Sequence, residues 1–455
     1  MQKSSKIILR GASALAIGAF LSKVIGAIYR IPLTNLLGAE GIGLYQTVFP
    51  VYVILLDLSS AGIPSSLSKL VAQNELKGDK GESKIILFES IKLFSFIGLI
   101  GSFLMIIASG FLSKLQGNKD ANLSYIFLAP SILLVCIISC FRGYFQGKKS
   151  MRQTAVSQVL EQVVKLAFGL FIVRLFLPDI KRATAGAIFA VTLSETVALL
   201  YLIFCYKREK NLNFNEKLLN NKNDRIKLRI LKLTVPVSIS VLALPLSGFI
   251  DTFLVVNILS KYLANATSLY GLYSGTALTI IHLPTSLLYG LSQVIIPILS
   301  GAKNEGEKKD KIKTTILATL LLSTLFSIVV FVSSPLAVNI LFGRLNVEEK
   351  SIVIKLIRIM SVNVIFHSLL QTANGILIGK GKALKPLIGS LLGVVIKTVL
   401  SVILLFNPKF NIYGVAISSI ACYFVACLVN LILSLDIKVK HAVKEDRYRR
   451  IYRRE

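Results

Sequence analysis

The chain repeats itself inside a string of apolar runs, and that combination leaves few folds open. Gly43-Leu44-Tyr45 returns about 230 residues later as Gly271-Leu272-Tyr273, and Gly143-x-x-x-Gly147-Lys148 returns as Gly375-x-x-x-Gly379-Lys380. Gly186 and Gly414 each open an apolar stretch at nearly the same offset. A shared spacing with shared placement against the apolar runs predicts two structurally equivalent halves. The runs lie near 8–29, 43–67, 85–112, 122–141, 155–177, 184–206, 230–258, 270–300, 314–341, 352–378, 386–406 and 412–436, twelve in all and six per half. An α-helix needs about 20 residues to cross a hydrocarbon core, and its backbone must bond to itself there. The expected fold is therefore all-α, a polytopic membrane protein with about twelve transmembrane helices in two parallel six-helix lobes. The corresponding organisation is an N-terminal lobe over 1–206, a basic linker over 207–232, a C-terminal lobe over 233–436 and a basic tail over 437–455.

Composition and charge agree. Of 455 residues 54% are hydrophobic and 16% charged, and the mean hydropathy of +0.70 is far too apolar for a chain surrounded by water. The net charge of +29 would suit nucleic acid only on a soluble basic face with interleaved aromatics. Here the cations sit in short segments between spans, as the positive-inside rule produces, so nucleic acid is not an expected partner. Lys77, Lys80 and Lys84, Lys148 and Lys149, the Lys207 to Lys232 stretch, Lys303 to Lys313 and the Arg447 to Arg454 tail alternate with loops that carry far fewer cations. That places both termini on the cytoplasmic side of the membrane. The first run holds Lys23 and Arg30 and no small-residue cleavage site, so it reads as a span rather than a removable signal. The tail, with Tyr448 and Tyr452 among its cations, reads either as a segment held on anionic membrane lipids or as a topology signal alone. Cys136, Cys140, Cys205, Cys422 and Cys427 are odd in number and lie in or beside apolar runs, which argues for packing rather than disulfides or a metal.

Ionisable and polar residues inside the runs carry the functional signal, because each is costly in lipid unless it faces a cavity or a partner. The first run carries Ser22, Lys23 and Arg30. The fifth carries Gln158, Glu161 and Lys165, so one helix face holds an acid and a base a turn apart, as a structural ion pair or as part of a ligand site. The seventh carries Asp251, and the eighth Thr279, His282 and Ser286. The tenth carries Asn363, His367, Gln371 and Asn374, a polar stripe at spacings that keep one face and that reads as lining water. His282 is a hydrogen-bonded core residue or a proton-handling one. Lys165, Arg174 and Lys397 are candidates to snorkel to an interface. Lys23 is the foremost candidate for substrate contact, since it lies mid-span with no acid within a turn. Prolines at 50 and 64, 236 and 245, and 284 and 297 predict bent helices around a cavity, the carbonyls they free needing neighbours or water.

With these residues in view, the chain resembles the oligosaccharide-lipid flippases of the multidrug/oligosaccharidyl-lipid/polysaccharide (MOP) exporter superfamily, and within it the stage V sporulation protein B branch. The resemblance rests on Ser22-Lys23-Val24-Ile25-Gly26 through Arg30-Ile31-Pro32-Leu33, Gly38-x-x-Gly41-x-Gly43-Leu44-Tyr45-Gln46, and Ser60-Ala61-Gly62-Ile63-Pro64 with the residues to Lys69. It continues in Arg142-Gly143-Tyr144-Phe145-Gln146-Gly147, Gln158-x-x-Glu161-Gln162, Pro245-Leu246-Ser247-Gly248-x-x-Asp251, and Tyr270-Gly271-x-x-Ser274-Gly275 before Leu283-Pro284. It implies two six-helix lobes forming a V around a central cavity. It also implies alternating access that turns a polyprenyl-diphosphate sugar from the inner to the outer leaflet. Related lipid II flippases place a cavity arginine where this chain has Lys23, and an Ala-Asp-Arg before Leu-Pro where it reads Ile280-Ile281-His282. The chain also shows twelve runs where many relatives have fourteen spans.

The expected function is therefore a flippase, without catalytic residues, for an undecaprenyl-diphosphate-linked glycan such as a peptidoglycan precursor. Lys23, Arg30, Glu161, Lys165, Asn363, His367 and Gln371 are the expected substrate contacts. Asp251 is the expected site for a coupling Na⁺ or H⁺, and the working state is expected to be a monomer. The competing readings are a multidrug/cation antiporter of the same fold and a non-transporting scaffold for spore-envelope assembly. Excess deep cations disfavour the antiporter, and short outward loops disfavour an intramembrane glycosyltransferase.

Overall fold

The computed structural model describes residues 2–60, 62–77, 80–209, 223–300, 305–382 and 384–435. Its N-terminal half comprises α1 (Gln2–Ser60), α2 (Ile63–Lys77), α3 (Lys80–Leu115), α4 (Asn122–Gly147), α5 (Met151–Phe176) and α6 (Ile180–Lys207). Its C-terminal half comprises α7 (Asn223–Val241), α8 (Ala243–Leu259), α9 (Ala266–Gly271), α10 (Leu278–Ser300), α11 (Glu305–Leu341), α12 (Val347–Met360), α13 (Asn363–Gly379), α14 (Pro386–Leu405) and α15 (Tyr413–Ser434). The wide-turn π-helical stretch Leu272–Ala277 joins α9 to α10.

Seven stretches among the described residues are individually long and apolar enough to cross a membrane, and the bent pair α12–α13, angled by 45°, is an eighth. The runs expected at 155–177, 230–258 and 270–300 are also helical, as α5, as α7 with α8, and as α9 through α10. Outward faces are apolar: Phe96, Leu99, Phe103, Ile107 and Phe111 of α3 and Leu321, Leu325, Val332 and Leu336 of α11 are all exposed. Apolar surface on this scale is stable only in lipid, and the chain is a multi-pass membrane protein.

Several boundaries differ from the sequence reading. The first two runs lie on one long helix broken at Gly38, whose φ of 68° and ψ of −174° are open essentially to glycine alone. The second run ends early, because the chain breaks near Gly62 and restarts in α2 with Pro64 in its first turn, where a missing N–H costs no intrahelical bond. Pro245 likewise sits in the first turn of α8, just after the break at Leu242. α7 begins at Asn223, inside the stretch read as linker, because its basic turn leans on the other half. There Arg229 donates to Gln73 Oε1 at 2.9 Å and Lys227 lies 3.8 Å from Glu89. Residues 210–222 and the tail from 436 fall outside the described residues, and with them the reading of the tail on lipid.

The repeat is structural. α5 packs on α6 as α14 packs on α15, α3 on α4 as α11 on α13, and α2 on α4 as α10 on α13. The repeated glycines serve repeated contacts. A Cβ on Gly186 would meet Ile172 of α5 at 2.6 Å, and one on Gly414 would meet Leu404 of α14 at 2.8 Å. The cysteines are all free, and four of the five are buried among apolar side chains.

The two Gly-Leu-Tyr motifs meet face to face where the halves cross. A Cβ on Gly43 would collide with the carbonyl oxygen of Thr267, and a Cβ on Gly271 with that of Ala39. Three glycine-enabled contacts, the third at Gly275 against Ile42, bring the backbones of α1 and α9 together. Gln46 Nε2 then donates to the carbonyl of Ser274 at 2.7 Å and to its hydroxyl at 3.1 Å. Further bonds close the same end of the molecule. Asn35 donates to Leu341 O at 2.7 Å, Gln116 to Thr252 Oγ1 at 2.8 Å, and Asn257 to Leu115 O at 2.7 Å.

Candidate transport cavity

On the other side of this seam the halves part, and a cavity of about 460 Å³ opens between α1 and α5 of one half and α10 of the other. Small residues set its walls. A Cβ on Gly18 would press on Ala155 at 2.6 Å, and one on Gly26 would stand 3.1 Å from Gln162 Oε1, so glycine lets α5 lie close along α1. That contact carries Gln162 and Lys165 to the face of α1 that bears Lys23 and Arg30. From α10, Thr279, His282 and Ser286 complete the polar lining.

Arg30 lies at the end nearest the seam, where its Nη1 donates to Thr279 Oγ1 at 3.4 Å, a long bond that leaves most of the guanidinium free to turn to a ligand. Thr279 is itself held by its own bond to Gly275 O at 2.6 Å. Lys23 lies toward the open end, exposed, with its ammonium 4.1 Å from the centre of the Tyr289 ring. Lys165 stands 5.8 Å over the Tyr29 ring, which fits against α5 only because residue 169 is glycine. Three cations therefore face one space, and no carboxylate is among the described residues that line it. Such a site suits an anion with several oxygens, approached by point charges from two sides and a guanidinium from above.

Of the residues expected to contact substrate, Lys23, Arg30 and Lys165 line the cavity together, and Glu161 does not. Its carboxylate takes the Arg142 guanidinium of α4 at 3.0 Å, so the local pairing of Glu161 with Lys165 gives way to one across helices. Arg142 is fixed from its other side by Ser157 at 3.0 Å. The α13 stripe also divides. His367 bonds Gln371 at 3.1 Å and stands behind His282 with ring centroids 5.7 Å apart. Asn374 accepts from Asn430 at 2.8 Å, which ties α13 to α15. Asn363 is buried with neither amide atom bonded to protein. Water, rather than a close-packed core, is the partner such an amide needs.

Asp251 lies outside the cavity. Lys397 of α14 reaches its Oδ2 at 2.6 Å and also donates to Ser247 at 2.8 Å. Both side chains are 8% exposed, so Lys397 does not snorkel to an interface; the nearby carboxylate holds it inside. The place envisaged for a coupling cation beside Asp251 is filled by an ammonium.

Sequence reading passed over three groups here. Gln162 was hidden beside Glu161. Arg142 lies one residue past the fourth apolar run, within α4. Glu195, an acid in the middle of the sixth run, is buried in α6 with Oε1 accepting from Tyr52 OH at 2.6 Å and Oε2 unbonded.

Comparison with known proteins follows the same lines. A family model described as "Polysaccharide biosynthesis protein" matches residues 8–303, and one described as "MatE" matches residues 236–403. Stage V sporulation protein B of Bacillus subtilis (strain 168) is 28% identical over 96% of this chain and 86% of its own length. Lipid II flippase MurJ of the same organism is 26% identical over 88% of this chain and 77% of its own. Among solved structures, an inward-facing multidrug resistance MATE family transporter of the MOP superfamily superposes with a TM-score of 0.78 at 16% identity. It covers 91% of this chain and 93% of the other, which establishes a common fold.

Proposed function

Since the chain belongs to the polysaccharide biosynthesis protein family and is a MOP superfamily transporter, we propose that it flips an undecaprenyl-diphosphate-linked glycan, a peptidoglycan precursor such as lipid II, across the bacterial cell membrane. The observation that carries this reading is the cavity between the halves, with Lys23, Arg30 and Lys165 facing it and no carboxylate among the described lining residues. A cationic drug would meet repulsion there; a diphosphate would meet three charges in a site partly shielded from water, where each is worth more than in solution. The volume of about 460 Å³ suits a diphosphate and the first sugar, and the prenyl tail stays in lipid between helices.

In this reading the seam around Gly43 and Gly271 is the outer gate, both termini are cytoplasmic, and the cavity receives its ligand from the inner leaflet. Rocking of the halves needs a ligand or ion that favours one state. Coupling to Na⁺ or H⁺ through Asp251 runs through Lys397, whose ammonium the ion must displace or whose partner the proton must neutralise. The relation to stage V sporulation protein B supports a role in sporulation, and that to MurJ a role in wall synthesis. A flipping assay in proteoliposomes with defined lipid-linked sugars tests the proposal. Transport of a diphosphate-linked glycan but not of an amphiphilic cation is the expected result, and the reverse preference would establish an antiporter.

A further inference from the structure

Two of the chain's three histidines meet at the wall of the cavity, one in each layer of that wall. His282 lines the space itself, and His367 stands behind it at 5.7 Å between ring centroids, inclined by 80°. The inner ring sits in a built environment. It is stacked on Tyr423 of α15 at 4.5 Å with 21° between planes, and its Nε2 lies 3.1 Å from the Gln371 amide nitrogen. The amide oxygen of Gln371 is buried and unbonded in this orientation. An amide can turn over, so Gln371 serves the ring in both states, with its NH₂ donating to a neutral nitrogen or its oxygen accepting from N–H. The Tyr423 face likewise welcomes a ring that carries charge.

Burial first, and then the surrounding charges, decide when such a ring takes a proton. From α1, Lys23 acts on both rings and Arg30 on His282, and Lys165 faces the same cavity from α5. α10 adds Tyr289 under Lys23, α15 adds Tyr423, α14 adds Lys397 with its charge met by Asp251 of α8, and α11 reaches α13 through the uncharged Thr319 and Thr372 contact. Among the described residues, no carboxylate lines the cavity to hold a proton on the imidazoles. An empty cavity therefore opposes a further positive charge, whereas an anion lying between Lys23 and Arg30 removes that opposition and adds an attraction.

We propose that the His282–His367 pair takes up a proton when the anionic headgroup binds, so that the ligand itself carries the proton into the transport cycle. The inference rests on the anion-binding reading of the cavity and adds to it a definite thermodynamic sign. Ligand affinity rises as pH falls, because the complex binds more protons than the free protein. In the interval where the free pair is neutral and the complex is charged, affinity changes up to about tenfold per pH unit.

Calorimetric titration of the full-length protein in detergent tests this. The probe is farnesyl-diphospho-N-acetylglucosamine, whose diphosphate is a diester with no proton of its own to exchange near neutral pH. Repeating the titration in buffers of different ionisation enthalpy reports proton uptake directly. Wild-type protein should take up about one proton per ligand. The His282→Gln/His367→Gln variant should still bind through Lys23 and Arg30, with affinity independent of pH and no uptake. Binding by the wild type without buffer dependence would overturn the inference and leave the anion site standing, as would uptake that persists in the double variant. Failure of the wild type to bind the probe would overturn both. Should the double variant not fold, wild-type buffer dependence still decides, with His367→Gln alone as the milder change behind the cavity wall.

Discussion

The Lys23 ammonium stands 4.1 Å over an aromatic ring in a cavity whose described lining residues include no carboxylate, which leaves its charge open to an anionic ligand. A charged hydrogen bond to such a ligand contributes about 1.5–3 kcal/mol. Lys23→Ala should therefore lower flipping by about 10- to 100-fold at normal abundance, and Lys23→Arg should keep part of it, because charge persists with a different reach. Initial flipping rates per inserted molecule measure this; full activity of Lys23→Ala would remove Lys23 from the site. Asp251 and Lys397 behave differently, because among the described residues each is the other's one charged hydrogen-bond partner and both are buried. Lys397→Ala leaves a carboxylate without its cation and should cost about 3–5 kcal/mol of stability, read as a lower melting temperature. If Asp251 belongs to an ion-coupling site, added Na⁺ should raise the melting temperature of Lys397→Ala and leave that of the wild type nearly unchanged. Equal insensitivity in both proteins would take Na⁺ out of the account.

At the scale of elements, the glycines of α1 and α9 hold the closed end shut by absence of side chains. Gly43→Leu would drive a side chain into the Thr267 carbonyl, so the helices must separate and the seam must open. Spin labels on the ends of α3 and α8 that meet at Asn257 and Leu115 should then show a longer separation than in the wild type. An unchanged distance would mean that the seam yields elsewhere. The helices themselves were largely legible, since their apolar length is a local property and the Gly-Leu-Tyr repeat marks equivalent places in both halves. Pairings across helices were not. Glu161 and Lys165 are neighbours on one helix face, yet Arg142 from α4 takes the carboxylate, and Lys397 finds Asp251 across 146 positions of sequence. Spacing along one helix reports which side chains share a face, and only the packing of helices decides what that face meets. The break at Gly38 was written as a glycine among many, and its need for glycine shows only in its φ of 68°.

For the whole molecule, the fold sets two halves against each other with contact at one end and a cation-lined space beyond it. The proposed orientation in the membrane is the one the positive-inside rule assigns, with the segments rich in lysine and arginine on the cytoplasmic side. Single cysteines introduced between residues 210 and 222 should resist an impermeant maleimide in intact cells and react once the cells are opened. Labelling from outside would invert the topology and with it the direction of transport. The most direct test of the central claim is flipping itself, measured in proteoliposomes loaded on one leaflet with a fluorescent undecaprenyl-diphosphate glycan. Wild-type protein should move that lipid to the other leaflet, and Lys23→Ala should do so about 10- to 100-fold more slowly while reconstituting equally well. A wild-type rate no higher than that of protein-free vesicles, under conditions where MurJ of Bacillus subtilis moves the same lipid, would contradict the account.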